Sequence, residues 1–147
     1  MAFKFSLQAV LDHRKHLEEQ AMSRFGQKLK AQREAEEQIA WLQGEHGKSR
    51  RDLAQRERGG LPAEEYILAN EYLTVLRLTA TREAARLPQL KAETEQARLK
   101  LVEATRARKA LEILRDKQRA EWLDKVNRTE QRLLDEAAIG SFVRRKK

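Results

Sequence analysis

The sequence of 147 residues contains no cysteine and only two prolines, and aromatic residues make up 5% of it. The lack of cysteine excludes a disulfide framework and favours a reducing compartment. No apolar run approaches the roughly 20 residues that span a bilayer. The opening Met1–Phe5 also lacks the hydrophobic segment of a signal peptide. We therefore expect a soluble, cytoplasmic protein.

Charged residues are abundant instead, at 37% of the chain, alongside 40% hydrophobic residues. The chain is rich in Ala, Leu, Glu, Lys, Arg and Gln, a composition typical of coiled coils and long helices. Its apolar residues form stripes, which disfavours a large globular core. The net charge is +8. Along most of the chain basic and acidic residues are intermixed, as on solvated helix faces. The exception is the basic run Arg144–Lys147.

The segment Leu90–Ala137 is predicted to be one long amphipathic helix, because its seam positions alternate spacings of three and four. The first part of this seam comprises Leu87, Leu90, Thr94, Ala97, Leu101, Ala104, Arg108 and Leu111. After a slip, which alters the winding without ending the helix, it continues through Leu114, Gln118, Trp122, Val126, Thr129, Leu133 and Ala137. No glycine or proline lies between Gln89 and Ile139. We expect this helix over residues 90–139 and a disordered basic tail over residues 140–147.

A second long helix is predicted for Phe3–Gln55, within a first segment of residues 1–58. About half of its seam positions are polar, so this coil is marginal. Gly44 and Gly47 each cost about 1 kcal/mol in a helix interior, and we expect fraying or bending there. Arg58–Pro62 is the clearest break in the chain, because two glycines can end one helix and a proline can begin the next. Residues 59–89 then form a break and a tip helix, with a kink or short break caused by Pro88.

The predicted fold is all-α, a long two-stranded antiparallel coiled-coil hairpin with a short helical tip segment. In the expected register Phe5 lies near Gly140, Phe25 faces Trp122, and Trp41 faces the region of Ala104. A parallel homodimer is the alternative, because heptads do not show whether the partner helix belongs to the same chain.

The chemistry-bearing patterns give no support to an enzyme. Gly44–Ser49 ends like a phosphate-binding loop, but Leu42 stands where its first glycine is needed, and the stretch lies in a predicted helix. Leu133–Glu136 similarly imitates a magnesium-binding strand end on a helix. His13 and His16 could share a helix face, but no third metal ligand accompanies them. We predict a non-enzymatic protein without cofactor, metal or small-molecule substrate.

Two exposed features could bind partners. The basic tail could contact nucleic acid or anionic lipid, or simply solubilise the terminus, and the lack of interleaved aromatic residues disfavours nucleic acid. The tip carries an apolar set that either closes the hairpin or forms a docking patch. This set comprises Tyr66, Ile67, Tyr72, Leu73 and Leu76.

Two stretches resemble the FliJ family of flagellar type III export proteins. The opening Phe3–Arg14 is similar to the family's start, which has an aromatic residue, a leucine, a Val-Leu pair and an arginine. The closing pattern is also similar; it comprises Ala110–Leu114, Arg119, Glu130 and Asp135–Ala137. The resemblance implies an antiparallel coiled coil that binds in the centre of the hexameric flagellar export ATPase. It further implies links to the cytoplasmic portion of the export gate and to export chaperones, at the inner membrane of the flagellar base.

The resemblance also implies two sets of contact residues. The ATPase-binding set comprises Leu7, Val10, Leu11, Arg14, Leu114, Arg119, Glu130, Asp135 and Glu136. The export-gate set comprises Tyr72 and Leu76. Two alternatives stay open, a coiled-coil scaffold or chaperone of another secretion system and a basic coiled coil that binds nucleic acid.

Overall fold

The computed structural model describes residues 2–146 and contains two long α-helices, with no strand among these residues. Helix α1 spans Gln8–Arg58, 51 residues, and helix α2 spans Ala63–Arg145, 83 residues. The two helices pack against each other as a hairpin. The predicted all-α helical hairpin is confirmed.

A tight turn joins the helices. The Gly59 amide donates to the Arg56 carbonyl at 3.1 Å, and the Gly60 amide donates to the Glu57 carbonyl at 3.3 Å. Gly60 has a φ of +86°, in the left-handed region that a residue with a Cβ atom adopts only at a cost. Glu64 and Glu65 lie in the first turn of α2, where they favour the positive end of its dipole.

The helices differ from the sequence-based expectation at three places. Residues 2–7 precede α1 instead of joining it, α1 stays helical through Gly44 and Gly47, and α2 is continuous through Pro88. Buried Leu42 and Leu53, exposed by 4% and 8%, flank the two glycines. Their burial offsets the glycines' cost of about 1 kcal/mol each. The segment expected as a separate tip helix is thus the beginning of α2.

The end of α2 also differs from the expectation. The helix passes Ile139 and continues to Arg145, where a disordered tail was expected. Arg144 and Arg145 occupy its last turn, and their positive charges favour the negative end of the helix dipole. Lys146 lies in a turn, and Lys147 lies outside the described residues.

The chain divides into two compact units. The turn unit is Gln20–Leu101, and the terminal unit consists of the described parts of Met1–Glu19 and Val102–Lys147. In the turn unit Lys28 forms an ion pair with Glu93 at 3.1 Å, and Tyr72 donates a hydrogen bond to Glu45 at 3.5 Å. These pairs show that the two helices run antiparallel in this unit.

The turn unit buries a narrow apolar stripe between its helices. Its buried residues are Ile39, Leu42, Leu53, Leu76, Thr94 and Ala97. The Thr94 hydroxyl oxygen lies 2.9 Å from the Leu90 carbonyl and 3.2 Å from the Lys28 carbonyl on the other helix. Thr94 can therefore occupy a buried seam position without an unsatisfied polar atom.

The terminal unit contains a second antiparallel pair. The rings of Phe3 and Trp122 lie 5.9 Å apart between centroids, and Arg108 pairs with Glu18 at 2.6 Å. Phe5 and Leu11 are its buried apolar residues, exposed by 8% and 0%.

The expected register of the helices is wrong. Trp122 packs against Phe3 and not against Phe25. The register differs because α2 begins at Ala63, so most of residues 59–89, expected as a tip, belong to the paired helix. Helix α2 consequently continues past Trp122 without a facing stretch of α1 in the terminal unit.

Candidate functional site

The end of α2 is a helix without a partner among the described residues. We call residues 127–145 the C-terminal extension. Every residue from Asn127 to Ile139 is exposed, and Gly140 alone is half-buried in the rest of the extension. Leu133, Leu134 and Ile139 are exposed by 60%, 65% and 64%. Helices of this length are marginal alone in water, so exposed apolar residues along the extension indicate a binding surface.

The residues expected to bind an ATPase fall into three environments. Glu130, Asp135 and Glu136 are exposed on the C-terminal extension. Leu7, Val10, Arg14 and Arg119 are exposed on the paired part of the terminal unit, with Leu7 at 37% and Val10 at 43%. Leu114 is half-buried, and Leu11 has no exposed surface. Leu11 therefore belongs to the packing between the helices.

An aromatic groove of about 570 Å³ lies beside this set. It is lined by Phe3, Phe5, Gln8, Arg115, Arg119, Trp122 and Leu123. Arg115 pairs with Asp116 at 3.2 Å, whereas Arg119 has no ion pair within residues 2–146. The groove joins Arg119 to Phe3 and Phe5, aromatic residues of the chain's opening that the sequence pattern links only to the family resemblance.

A charged cluster fixes the helices of the terminal unit. Arg108 donates from Nε to Glu18 at 2.6 Å and from a terminal nitrogen to Glu112 at 2.7 Å. The side chains of Glu18 and Arg108 are exposed by 15% and 20%. The hydrogen bond from Arg108 lowers the pKa of Glu18 below its ordinary value of 4.5, against the opposing effect of burial. The charged seam position at Arg108 thus has a specific partner across the helix pair.

The two residues expected to bind the export gate are not equivalent. Tyr72 is 46% exposed, whereas Leu76 is 5% exposed and lies in the apolar stripe of the turn unit. Other exposed apolar residues accompany Tyr72 on the outer side of α2 at helical spacings. We call this set the α2 apolar face; it comprises Ile67, Leu68, Tyr72, Val75 and Leu78.

The remaining candidate motifs lie in helical surroundings. Gly44–Ser49 lies inside α1 and does not follow a strand. Leu133–Glu136 lies inside α2. Within the described part of the chain, no group of three or more His, Asp or Glu residues is placed to hold a metal ion. Neither helix there contains a stretch with the length and apolar character of a membrane span.

This helical hairpin leaves one helix end uncovered and displays apolar residues along its outer side. These are the features of a coiled-coil protein that binds partners. The chain matches the family described as flagellar FliJ protein over residues 3–147. This chain belongs to the FliJ family, and it is accordingly a component of the flagellar protein export apparatus. The family is non-enzymatic and cytoplasmic. No curated protein and no solved structure gives a significant match.

Proposed function

We propose that this chain is a coiled-coil stalk that binds the flagellar export ATPase hexamer. It couples the hexamer to the cytoplasmic portion of the export gate and to export chaperones, at the inner membrane of the flagellar base. The observation that carries the proposal is the C-terminal extension, a helix exposed on every side from Asn127 to Ile139. A ring surrounds its occupant, and such a helix offers side chains to a ring in all directions.

The ATPase contact extends from this helix to the paired part of the terminal unit. Glu130, Asp135 and Glu136 supply carboxylates along the extension, and Arg14 and Arg119 supply positive charges on the paired part of the terminal unit. Leu7 and Val10 add apolar surface. Leu11 and Leu114 act through packing, since the former is fully buried and the latter half-buried. Many small contacts of this kind suit a subunit that transmits movement without holding a ligand.

The gate contact lies on the turn unit. Tyr72 is the residue that a partner can reach, and it has exposed apolar neighbours at Leu68 and Val75. Leu76, 5% exposed, supports this surface by holding α2 against α1. Aromatic side chains often dominate the energy of protein interfaces, and this favours Tyr72 as the central contact.

The ATPase contact is tested by measuring ATP hydrolysis by the purified cognate export ATPase with and without this chain. We expect stimulation by the native chain and a loss of at least several-fold with Glu130→Lys plus Glu136→Lys. The matched control is Glu37→Lys plus Glu71→Lys, which makes the same charge change at exposed positions of the turn unit. All variants should keep the native far-ultraviolet circular dichroism. Absence of stimulation and of co-assembly at low salt would overturn the stalk and leave a scaffold with another partner.

The gate contact is tested by binding to the isolated cytoplasmic portion of the export gate. Tyr72→Ala should weaken binding about tenfold, the loss of roughly 1.4 kcal/mol, while leaving the melting temperature nearly unchanged. Tyr66→Ala is the control, because Tyr66 is a tyrosine of similar exposure, 42%, on the same helix. Equal effects of the two substitutions would contradict this contact.

A further inference from the structure

The last two turns of α2 combine exposed apolar side chains with a run of positive charge. Ile139, Phe142 and Val143 are exposed by 64%, 60% and 53%. They are followed at once by Arg144, Arg145, Lys146 and Lys147. We call residues 139–146 the basic apolar end. The proposed ATPase contact stops at Glu136 and gives this end no role.

The helix gathers the apolar residues onto one side. Phe142 and Val143 lie three and four positions after Ile139, the spacings that place side chains on one helix face. Arg145, six positions after Ile139, lies on a flank of this face, whereas Arg144, five positions after Ile139, lies on the opposite side of the helix. Lys146 follows Phe142 by four positions, and its ammonium nitrogen lies 5.0 Å from the centroid of the Phe142 ring. The result is a small apolar face with Arg145 on one flank and Lys146 at its end.

We infer that the basic apolar end binds the surface of a bilayer that contains anionic lipid. Basic side chains next to a membrane are attracted by the negative potential of its headgroups. The apolar face of an interfacial helix enters the boundary between headgroups and acyl chains. Lys146 has a flexible stem that can keep its charge among the headgroups while Phe142 lies deeper.

The charge and the apolar face of the basic apolar end together favour a lipid surface over nucleic acid as its partner. Nucleic acid phosphates would use the four positive charges, but they would leave exposed Ile139 and Val143 without a function. Asp135 and Glu136 lie immediately before the basic apolar end, and an anionic surface repels them. They therefore set the limit of the segment that approaches the bilayer. This contact goes beyond the proposed function, and its test contains no ATPase, so that either proposal can fail alone.

Flotation of the full chain with lipid vesicles tests the inference. We expect flotation with vesicles of equal parts phosphatidylcholine and phosphatidylglycerol, and none with phosphatidylcholine alone. Replacing all four basic residues of 144–147 by Gln should lower the partition coefficient more than a hundredfold, since each charge contributes about fivefold. The control carries the same charge loss at exposed positions elsewhere and should bind as the native chain does. Its substitutions are Lys48→Gln, Arg51→Gln, Arg82→Gln and Lys100→Gln.

A second pair of variants separates a bilayer from a purely electrostatic partner. Ile139→Ser plus Phe142→Ser should lower vesicle binding at least several-fold, whereas Val75→Ser plus Leu78→Ser, equally exposed on α2, should not. Polyuridylate serves as the nucleic acid probe, and the serine pair at Ile139 and Phe142 should not affect any binding to it. The inference is overturned if the native chain does not float, if the basic variant floats as well as the native chain, or if the apolar pair has no effect.

Discussion

Arg108 and Glu18 are 90 positions apart in the chain, yet the Arg108 Nε lies 2.6 Å from a Glu18 carboxylate oxygen. The contact joins α2 to α1 in the terminal unit. Thr105 also helps to lower the pKa of Glu18, and Arg108 pairs with Glu112 at 2.7 Å on its other side. A carboxylate with these partners is stabilised in its charged form, so the contact should depend on pH.

Acid should weaken this contact in a defined window. The pKa of Glu18 is lower in the folded chain than its ordinary 4.5. Its stabilising contribution is therefore fully present above pH 4.5 and is lost as pH falls through the lowered folded value. We expect the melting temperature of the native chain to exceed that of Glu18→Gln at neutral pH, with the difference shrinking below pH 4.5. Melts followed by circular dichroism measure this difference.

The comparison needs a carboxylate control, because Glu18 is not the only carboxylate among the described residues whose pKa is lowered by folding. A hydrogen bond from Lys28 likewise lowers the pKa of Glu93. Glu37→Gln removes an exposed glutamate on α1. Its melting temperature, measured over the same pH range, is the reference for a glutamate-to-glutamine change outside the Arg108 contact. A difference between Glu18→Gln and the native chain that stays constant over this range would contradict the assigned role of the Arg108 contact.

Leu11 should be a stability residue and its neighbour Val10 should not. Leu11 has no exposed surface, so Leu11→Ala removes buried methyl groups and leaves a cavity. We expect a loss of about 2 to 5 kcal/mol in the free energy of unfolding, measured in urea. Val10, 43% exposed, should lose at most about 0.5 kcal/mol as Val10→Ala. Similar losses for the two variants would show that the terminal unit is not packed around Leu11.

Two glycine-to-alanine substitutions should change stability in opposite directions. Gly60 has a φ of +86°, so Gly60→Ala strains the turn and should cost about 1 to 2 kcal/mol. Gly26 lies inside α1 with nothing within 4 Å of an added Cβ atom. Gly26→Ala should therefore stabilise the chain by about 0.5 to 1 kcal/mol. Thermal melts of both variants check the pair, and destabilisation by Gly26→Ala would contradict the open space found beside it.

Phe3 should control the environment of Trp122. Their ring centroids lie 5.9 Å apart with planes tilted by 49°. In a Trp41→Phe background, which leaves Trp122 as the only tryptophan, Phe3→Ala should shift the emission of Trp122 to longer wavelength. The matched control is Phe25→Ala, since Phe25 was the residue expected opposite Trp122 in the other register. A larger shift with Phe25→Ala would restore that register.

The helices and the turn could be read from the sequence because their causes are local. Long stretches without proline or glycine favour helices, and the adjacent Gly59 and Gly60 favour the end of a helix. The structure confirms a hairpin whose chain reverses there. Pro88, however, does not interrupt α2, because packing of the turn unit on both sides outweighs its local cost of about 3 kcal/mol.

The register could not be predicted, because a heptad pattern repeats and matches a partner at many offsets. The specific contacts that choose one offset come from irregular residues. Examples are Arg108 on Glu18, Thr94 on the Lys28 carbonyl, and Phe3 on Trp122. For the same reason the sequence did not distinguish buried Leu76 from exposed Tyr72, nor reveal where α2 loses its partner.

The tight turn at Gly60 also gives the molecule an order of assembly. The contacts Glu45–Tyr72, Lys28–Glu93 and Glu18–Arg108 close loops of 27, 65 and 90 residues. The entropic cost of closing a loop rises with its length. We therefore expect the two helices to pair first beside the turn and then progressively toward the terminal unit. The contacts that form last are the first to open by local unfolding. The ATPase contact that we propose lies on this least protected part of the chain, and binding there would stabilise the pairing of the helices in the terminal unit.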